Sequence, residues 1–310
     1  MLKKQLKILE MNYKTTSCGK VLITSEYFVL KGALALAIPT KFSQSLKFIS
    51  MHSNSLVWEA YNEKNEVWLN TEFDLPSLKI IENENEKSRV LQSILLSAKK
   101  LNSNFLNSLQ GGIVKTKLDF PTNWGLGSSS TLINNISNWA NINPYHLLWS
   151  NYKGSGYDIA CAKTKDSILY QLKKNKPVAK KINFNPIFFE NLFFIHLNKK
   201  QNSNKQIEFF NKNHSKNLKL IDAFSQLTLE FLDSKKLIDF QNCIKKHESL
   251  MSKQLDIKPV KEEFFKDYKG EIKSLGAWGG DFVLAAGPLN SPEYFNKKGF
   301  DTILRYKEMF

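Results

Sequence analysis

Apolar positions along the first 120 residues fall mostly in short runs or alternate with polar ones, and take helical spacing at one place only. Residues 21–23 and 28–30 are β-branched and aromatic runs, read as two strands around a turn at Ser25 and Glu26. Further strand is expected over 33–38 and 44–50, with Pro39 at an edge or bend. Residues 57–61 and 66–70 flank a polar spacer at 62–65, which suits a hairpin. Val90, Leu91, Ile94, Leu95 and Ala98 recur at i, i+3 and i+4, predicting a helix over 88–101. Alternation returns at 112–118, and that strand delivers the chain to PTNWGLGSSST, 121–131. A helix is expected over 132–139, and 141–152 reads as a connection around Pro144.

A short helix over 158–163 and strands at 167–173 and 180–184 follow. Charged and Asn-Pro residues cluster over 173–186, which places a domain boundary there and divides the chain into 1–180 and 181–310. Beyond it come an apolar strand at 187–198 and amphipathic helices near 206–212, 216–233, 235–254 and 260–268. Strands at 272–275 and 282–286 bracket a loop from Gly276 to Asp281. Strands grouped with helices in each half predict an α+β protein of two layers per domain.

The stretch 121–131 has the makings of a phosphate cradle. Gly125 and Gly127 allow positive φ and a close approach of backbone to ligand. Ser128, Ser129 and Ser130 stand where a helix begins, so their N–H groups can face an anion and their hydroxyls a phosphate oxygen or Mg²⁺. A turn followed by a serine N-cap would have the same composition.

Net charge is +15. Nucleic acid is still not the expected partner, because only Arg89 and Arg305 are arginine and the many lysines form no stripe. A basic mouth that steers ATP and an acidic small molecule fits better. Cys18, Cys161 and Cys243 form no C-x-x-C pair, which suits a reducing, cytoplasmic setting. The five histidines lack zinc-ligand spacing, and no apolar run approaches the ~18 residues that span a bilayer. Residues 1–10 lack a long apolar core and a cleavage site, so a secretion signal is not expected; a short extension or helix is.

Four segments in order resemble the motifs of the GHMP kinases, the family of galactokinase, homoserine kinase, mevalonate kinase and phosphomevalonate kinase. SCGKVLITSEYFVLKG (17–32) is similar to the family's opening motif, and PTNWGLGSSS (121–130) to its central P-x-x-x-G-L-G-S-S-[AS]. GSGYDIACA (154–162) looks like the G-S-G-x-D segment of the mevalonate branch and of a bacterial group marked by GYDIA. KSLGAWGGDFVLAAG (273–287) resembles the third, glycine-rich motif.

The resemblance implies a two-lobed fold, a ribosomal-S5-like lobe followed by a ferredoxin-like one, with ATP bound between them, and a monomer or homodimer. It implies ATP and Mg²⁺ as cofactors and a mevalonate-pathway metabolite as acceptor. It makes Asp158 the base and Lys20 its cationic companion. Gly125, Leu126, Gly127, Ser128, Ser129 and Ser130 become the nucleotide loop, with Ser129 also on Mg²⁺ and Gly276, Gly279 and Gly280 in support. Glu26 and Tyr27 are expected to line the substrate or nucleotide pocket. Departures are Cys18 for proline, Ser25 and Trp278 for glycines, Asp281 for the last glycine, and no Asp or Glu between Asp119 and Asp158, where the family often supplies a Mg²⁺ ligand. Two other readings stay open: a metabolite-binding GHMP fold without catalysis, and an enzyme like diphosphomevalonate decarboxylase.

Overall fold

The computed structural model describes residues 12–107, 111–199, 210, 217–276, 278 and 280–310. Residues 1–10 and, apart from Phe210, the helix expected over 206–212 lie outside them. The protein is mixed α+β, with a large sheet and a second, four-stranded one. Two compact units interleave along the chain: residues up to Ser17, 43–121 and 129–152 form one; 18–42, 122–128 and 153–310 form the other. Strands β1 (Tyr13–Leu22) and β2 (Ala35–Ser50) contribute to both.

In the first unit β3 (Ser55–Tyr61) pairs antiparallel with β4 (Val67–Asp74) and parallel with β6 (Gly112–Leu118). The short β5 (Ile80–Glu82), which the apolar pattern does not announce, extends the edge beyond β4. Strand β6 also pairs with the Gln44–Ser50 part of β2. Every second residue of β3 and β6 is buried, so the alternation in sequence is the two-faced sheet itself. Helix α1 (Glu86–Leu101) starts at Asn85, whose side chain accepts from the Ser88 amide while the Ser88 hydroxyl accepts from the Asn85 amide. It buries Leu91, Ile94 and Leu95, each stabilising by about 1.5–3 kcal/mol.

Helix α2 (Ser128–Trp139) turns a polar face inward. The Ser17 hydroxyl donates to Asn135 Oδ1 at 2.7 Å, Asn134 Nδ2 donates to Ser17 Oγ at 2.8 Å, and Thr131 Oγ1 donates to Gln44 Oε1 at 2.7 Å. All are buried, so these bonds fix the helix's rotation where a purely apolar face would allow sliding. The expected connection at 141–152 is instead largely helix α3 (Pro144–Asn151): Asn143 caps it, Pro144 sits in the first turn where no N–H is needed, and Leu147 and Leu148 are buried.

In the second unit the expected strand at 28–30 is a 3-10 turn, Phe28–Lys31. Ser25 and Tyr27 take φ of 63° and 60°, and Gly32 closes the turn at φ 98°, so an extended run cannot form. Pro39 interrupts nothing: it falls between Ala35–Ala37, paired with β7, and Gln44–Ser50, paired with β6. After helix α4 (Tyr157–Ala162), β7 (Ser167–Lys173) and β8 (Lys176–Ile182) form a hairpin. Its two-residue turn is Lys174 and Asn175, both at positive φ, which moves the second strand earlier than the expected 180–184.

The small sheet runs β10 (Glu271–Ser274), β11 (Phe282–Ala286), β9 (Leu192–His196) and β12 (Ile303–Arg305), all antiparallel. Strands β9 and β11 are buried along their whole length, as their unbroken apolar runs require. Helices α5 (Leu218–Asp233), α6 (Leu237–Leu255), α7 (Val260–Phe264), α8 (Ser291–Lys297) and α9 (Tyr306–Met309) complete this unit. Among the described residues no helix is long and apolar enough to cross a membrane.

Candidate active site

Lys20 lies on β1, and two bonds tie it to the glycine loop. Its amide donates to the Leu126 carbonyl at 2.9 Å and its ammonium to the Gly125 carbonyl at 2.7 Å. The approach depends on Gly19, where a Cβ would stand 2.7 Å from Thr40 Oγ1 and 2.9 Å from the Leu126 oxygen. Gly125 is exposed at φ 66° and Leu126 is buried. Gly127 takes φ 89°, and Ser128, Ser129 and Ser130 then open α2.

A shallow open cleft lies at this point, lined by Lys20, Leu22, Trp124, Gly125, Leu275 and Asp281 among others. Gly276, on the third loop, also borders it. Gly280 is buried, and Gly279 lies outside the described residues.

Asp158 is the second residue of α4, and its Oδ1 accepts from the Ile159 amide at 3.0 Å. Burial pushes its carboxyl above the ordinary carboxylate range, with Lys20 pulling back. Burial pushes the Lys20 ammonium down, while Asp158 and then Asp281 pull it up. The two groups therefore share one electrostatic environment. Lys20 Nζ also lies 5.8 Å from the centroid of the Tyr157 ring.

Glu26 and Tyr27 are both buried. Glu26 is 1% exposed and pairs with Lys273 and His247, and Tyr27 packs in an apolar cluster with Phe28, Phe210 and Phe224. Neither borders the cleft. Trp278 joins that cluster, so the side chain replacing a glycine points into the core.

Two residues that the motifs do not single out shape the loop. Trp124 packs edge-to-face on Phe42 and Phe282, centroids 5.2 and 5.4 Å away. His196 Nε2 meets the Asn123 carbonyl at 3.1 Å. A tryptophan inside an otherwise small-residue loop was the available signal for the first; nothing local marked the second.

No protein-family model and no curated protein sequence matches the chain. Solved structures do. Phosphomevalonate kinase of Streptococcus pneumoniae, in complex with phosphomevalonate and AMPPNP, matches with a TM-score of 0.69 at 17% identity, over 94% of this chain and 99% of that one. Mevalonate kinase of Methanococcus jannaschii matches with a TM-score of 0.68 at 18% identity, over 96% and 98%. Galactokinase of Lactococcus lactis, complexed with galactose, matches with a TM-score of 0.62 at 14% identity, over 92% and 88%. The chain has the fold of these GHMP kinases. The α+β expectation holds.

Hard-metal chemistry can be tested on the donors present. Among the described residues no three His, Cys, Asp or Glu side chains gather to hold an ion. Asp158 and Asp281 both act on the Lys20 ammonium. Such a sparse oxygen set fits Mg²⁺ that arrives on a nucleotide and keeps most of its ligands from phosphate and water.

Proposed function

We propose that the protein is an ATP- and Mg²⁺-dependent kinase of a small hydroxylated metabolite, with mevalonate or phosphomevalonate as the favoured acceptor. The observation that carries this reading is the Lys20 ammonium bound to the Gly125 carbonyl, with Asp158 acting on the same ammonium. Phosphoryl transfer asks a protein to hold a phosphate in line with a hydroxyl, offset its charge and accept a proton. Asp158 would take the acceptor's proton, its affinity for one raised by burial. Lys20 would stabilise the alkoxide forming beside it. The backbone from Gly125 to Ser128 would face the nucleotide's phosphates, as N–H groups at a helix start do. Mg²⁺, when bound, would offset phosphate charge, with Asp281, Asp158 and Ser129 the candidate oxygen donors.

The fold shared with phosphomevalonate and mevalonate kinases supports the acceptor class, as does the GSGYD segment at 154–158. Purified protein with ATP, Mg²⁺ and a panel of mevalonate, phosphomevalonate, homoserine and galactose tests it through ADP release. Turnover is expected on mevalonate or phosphomevalonate. One observation favours a second reading, a binder without catalysis: a carboxylate, Asp281, lies against Gly125, where the kinase reading seats phosphate. A melting shift on ATP with no ADP release from any acceptor would select that reading.

A further inference from the structure

Behind the cleft lies a cluster of charges that none of its chemistry uses. Glu26 and Lys273 are hydrogen-bonded through Oε1 and Nζ, and are 1% and 0% exposed. The other carboxylate oxygen of Glu26 stands 3.1 Å from His247 Nε2, and the Ser25 amide lies 3.0 Å from the same nitrogen. Glu248 completes the group. Its Oε2 accepts from the Ser274 amide at 3.1 Å and the Ser274 hydroxyl at 2.9 Å, and its Oε1 lies 3.8 Å from His247 Nδ1 and 3.9 Å from Lys273 Nζ. Phe224 and Phe231 of α5 wall it with their rings.

Such a cluster is costly. Each charge has left water, and an apolar replacement of similar volume would usually be as stable. What the charges fix is geometry, because ion pairs and hydrogen bonds have a direction that apolar contacts lack. The three segments they join are informative. Glu26 lies four residues after Leu22, which ends β1 and lines the cleft with Lys20. Lys273 and Ser274 end β10, and the next two residues, Leu275 and Gly276, line the cleft from the other side. His247 and Glu248 belong to α6, the scaffold behind both. The turn itself is strained, with Ser25 and Tyr27 both at left-handed φ, and such a turn persists only where its surroundings hold it.

We propose that Glu26, Lys273, His247 and Glu248 are positioning residues. They staple the Lys20 strand to the strand entering the third loop and so set the width of the cleft, and none of them touches substrate. The proposal rests on the kinase reading for its effect on rate, but not for the staple itself. It also gives Glu26 a role other than the pocket-lining one that its motif suggests. Burial of the carboxylate against Lys273 and His247 leaves it no face toward a ligand.

The test compares Glu26→Gln, Lys273→Met and the double variant of the full chain, by steady-state kinetics with ATP and phosphomevalonate or mevalonate and by amide hydrogen exchange over 18–26 and 271–276. Each single variant is expected to lower kcat at least 10-fold, to leave both KM values within about twofold, and to speed exchange in both segments at least 10-fold. The double variant should be no worse than the poorer single one, as for two halves of one interaction. A 10-fold rise in acceptor KM with kcat kept in Glu26→Gln would make Glu26 a substrate contact and overturn the proposal. So would multiplying effects in the double variant, or exchange unchanged in both segments. If Lys273→Met does not fold, His247→Gln takes its place with the same expected results. If the wild type turns over no acceptor, the kinase reading falls, and the exchange measurement still decides the staple.

Discussion

The Lys20 ammonium hydrogen-bonds the Gly125 carbonyl at 2.7 Å, across 105 positions of sequence. One side chain thus joins the opening motif to the glycine loop and places a positive charge at an exposed glycine of that loop. Lys20→Met keeps the aliphatic stem and removes the charge. It is expected to lower kcat by about 10²-fold or more, because the lost interaction is with charge that develops during transfer. ATP affinity should fall less, by about 10-fold. Coupled ADP release and calorimetric titration with ATP measure the two separately.

The pH profile follows from the same pair. Burial raises the Asp158 carboxyl above its ordinary 3.8, and burial lowers the Lys20 ammonium below its ordinary 10.5. A base must be ionised and the ammonium protonated, so kcat/KM should fall on the acid side at a pH above 3.8 and on the alkaline side at a pH below 10.5. Both limbs close inward. Lys20→Arg, which stays charged, should lose the alkaline limb whatever its absolute rate. Asp158→Asn should lower kcat by about 10²–10⁴-fold with ATP affinity nearly kept. An unchanged kcat would remove Asp158 from the base role.

Two glycines with the same backbone sign separate strain from crowding. Gly125 and Gly276 take φ of 66° and 62°. A Cβ on Gly276 would meet nothing within 4 Å, so Gly276→Ala carries only the left-handed penalty, about 1–2 kcal/mol. A Cβ on Gly125 would lie 2.4 Å from Asp281 Oδ2 and 3.0 Å from Asp281 Cβ, so the Asp281 side chain or the loop must move. Gly125→Ala should therefore lower the melting temperature more than Gly276→Ala and weaken ATP binding at least 10-fold. Thermal unfolding with and without ATP checks both.

Much of this was legible in the residues. Alternation placed β6 because a half-buried sheet imposes a period of two, the polar spacer at 62–65 marked the hairpin of β3 and β4, and amphipathic spacing placed α1, α5 and α6. The glycines and serines of 125–130 marked a bend leading into a helix, and it is one. The turn at Phe28 was not legible, since apolar, β-branched residues that favour strands are held in a 3-10 turn by Gly32 and by packing with distant Phe224. Nor was the burial of Glu26. Its partners Lys273 and His247 lie more than 200 positions away, and no local pattern announces a carboxylate whose counter-ion arrives from another strand.

Asp281 is the departure with the most direct consequence. Its backbone is pinned by the Asp281 amide donating to the Lys199 carbonyl at 2.7 Å and the Leu197 amide donating to the Asp281 carbonyl at 2.8 Å, so its carboxylate is delivered to Gly125 by β-type bonds. A carboxylate there repels a bare triphosphate. At a few ångströms and the effective dielectric of a protein surface, one like charge costs about 1–3 kcal/mol. A divalent cation carried by the nucleotide reverses the sign. Asp281→Asn should therefore tighten binding of ATP without Mg²⁺ by about 10-fold and leave binding with Mg²⁺ equal or weaker, narrowing the difference between the two. Titrations in EDTA and in excess Mg²⁺ read this directly, without any need for turnover. If the variant binds both forms of ATP as the wild type does, the carboxylate does not face the phosphates. The nucleotide loop would then have to be sought away from Gly125.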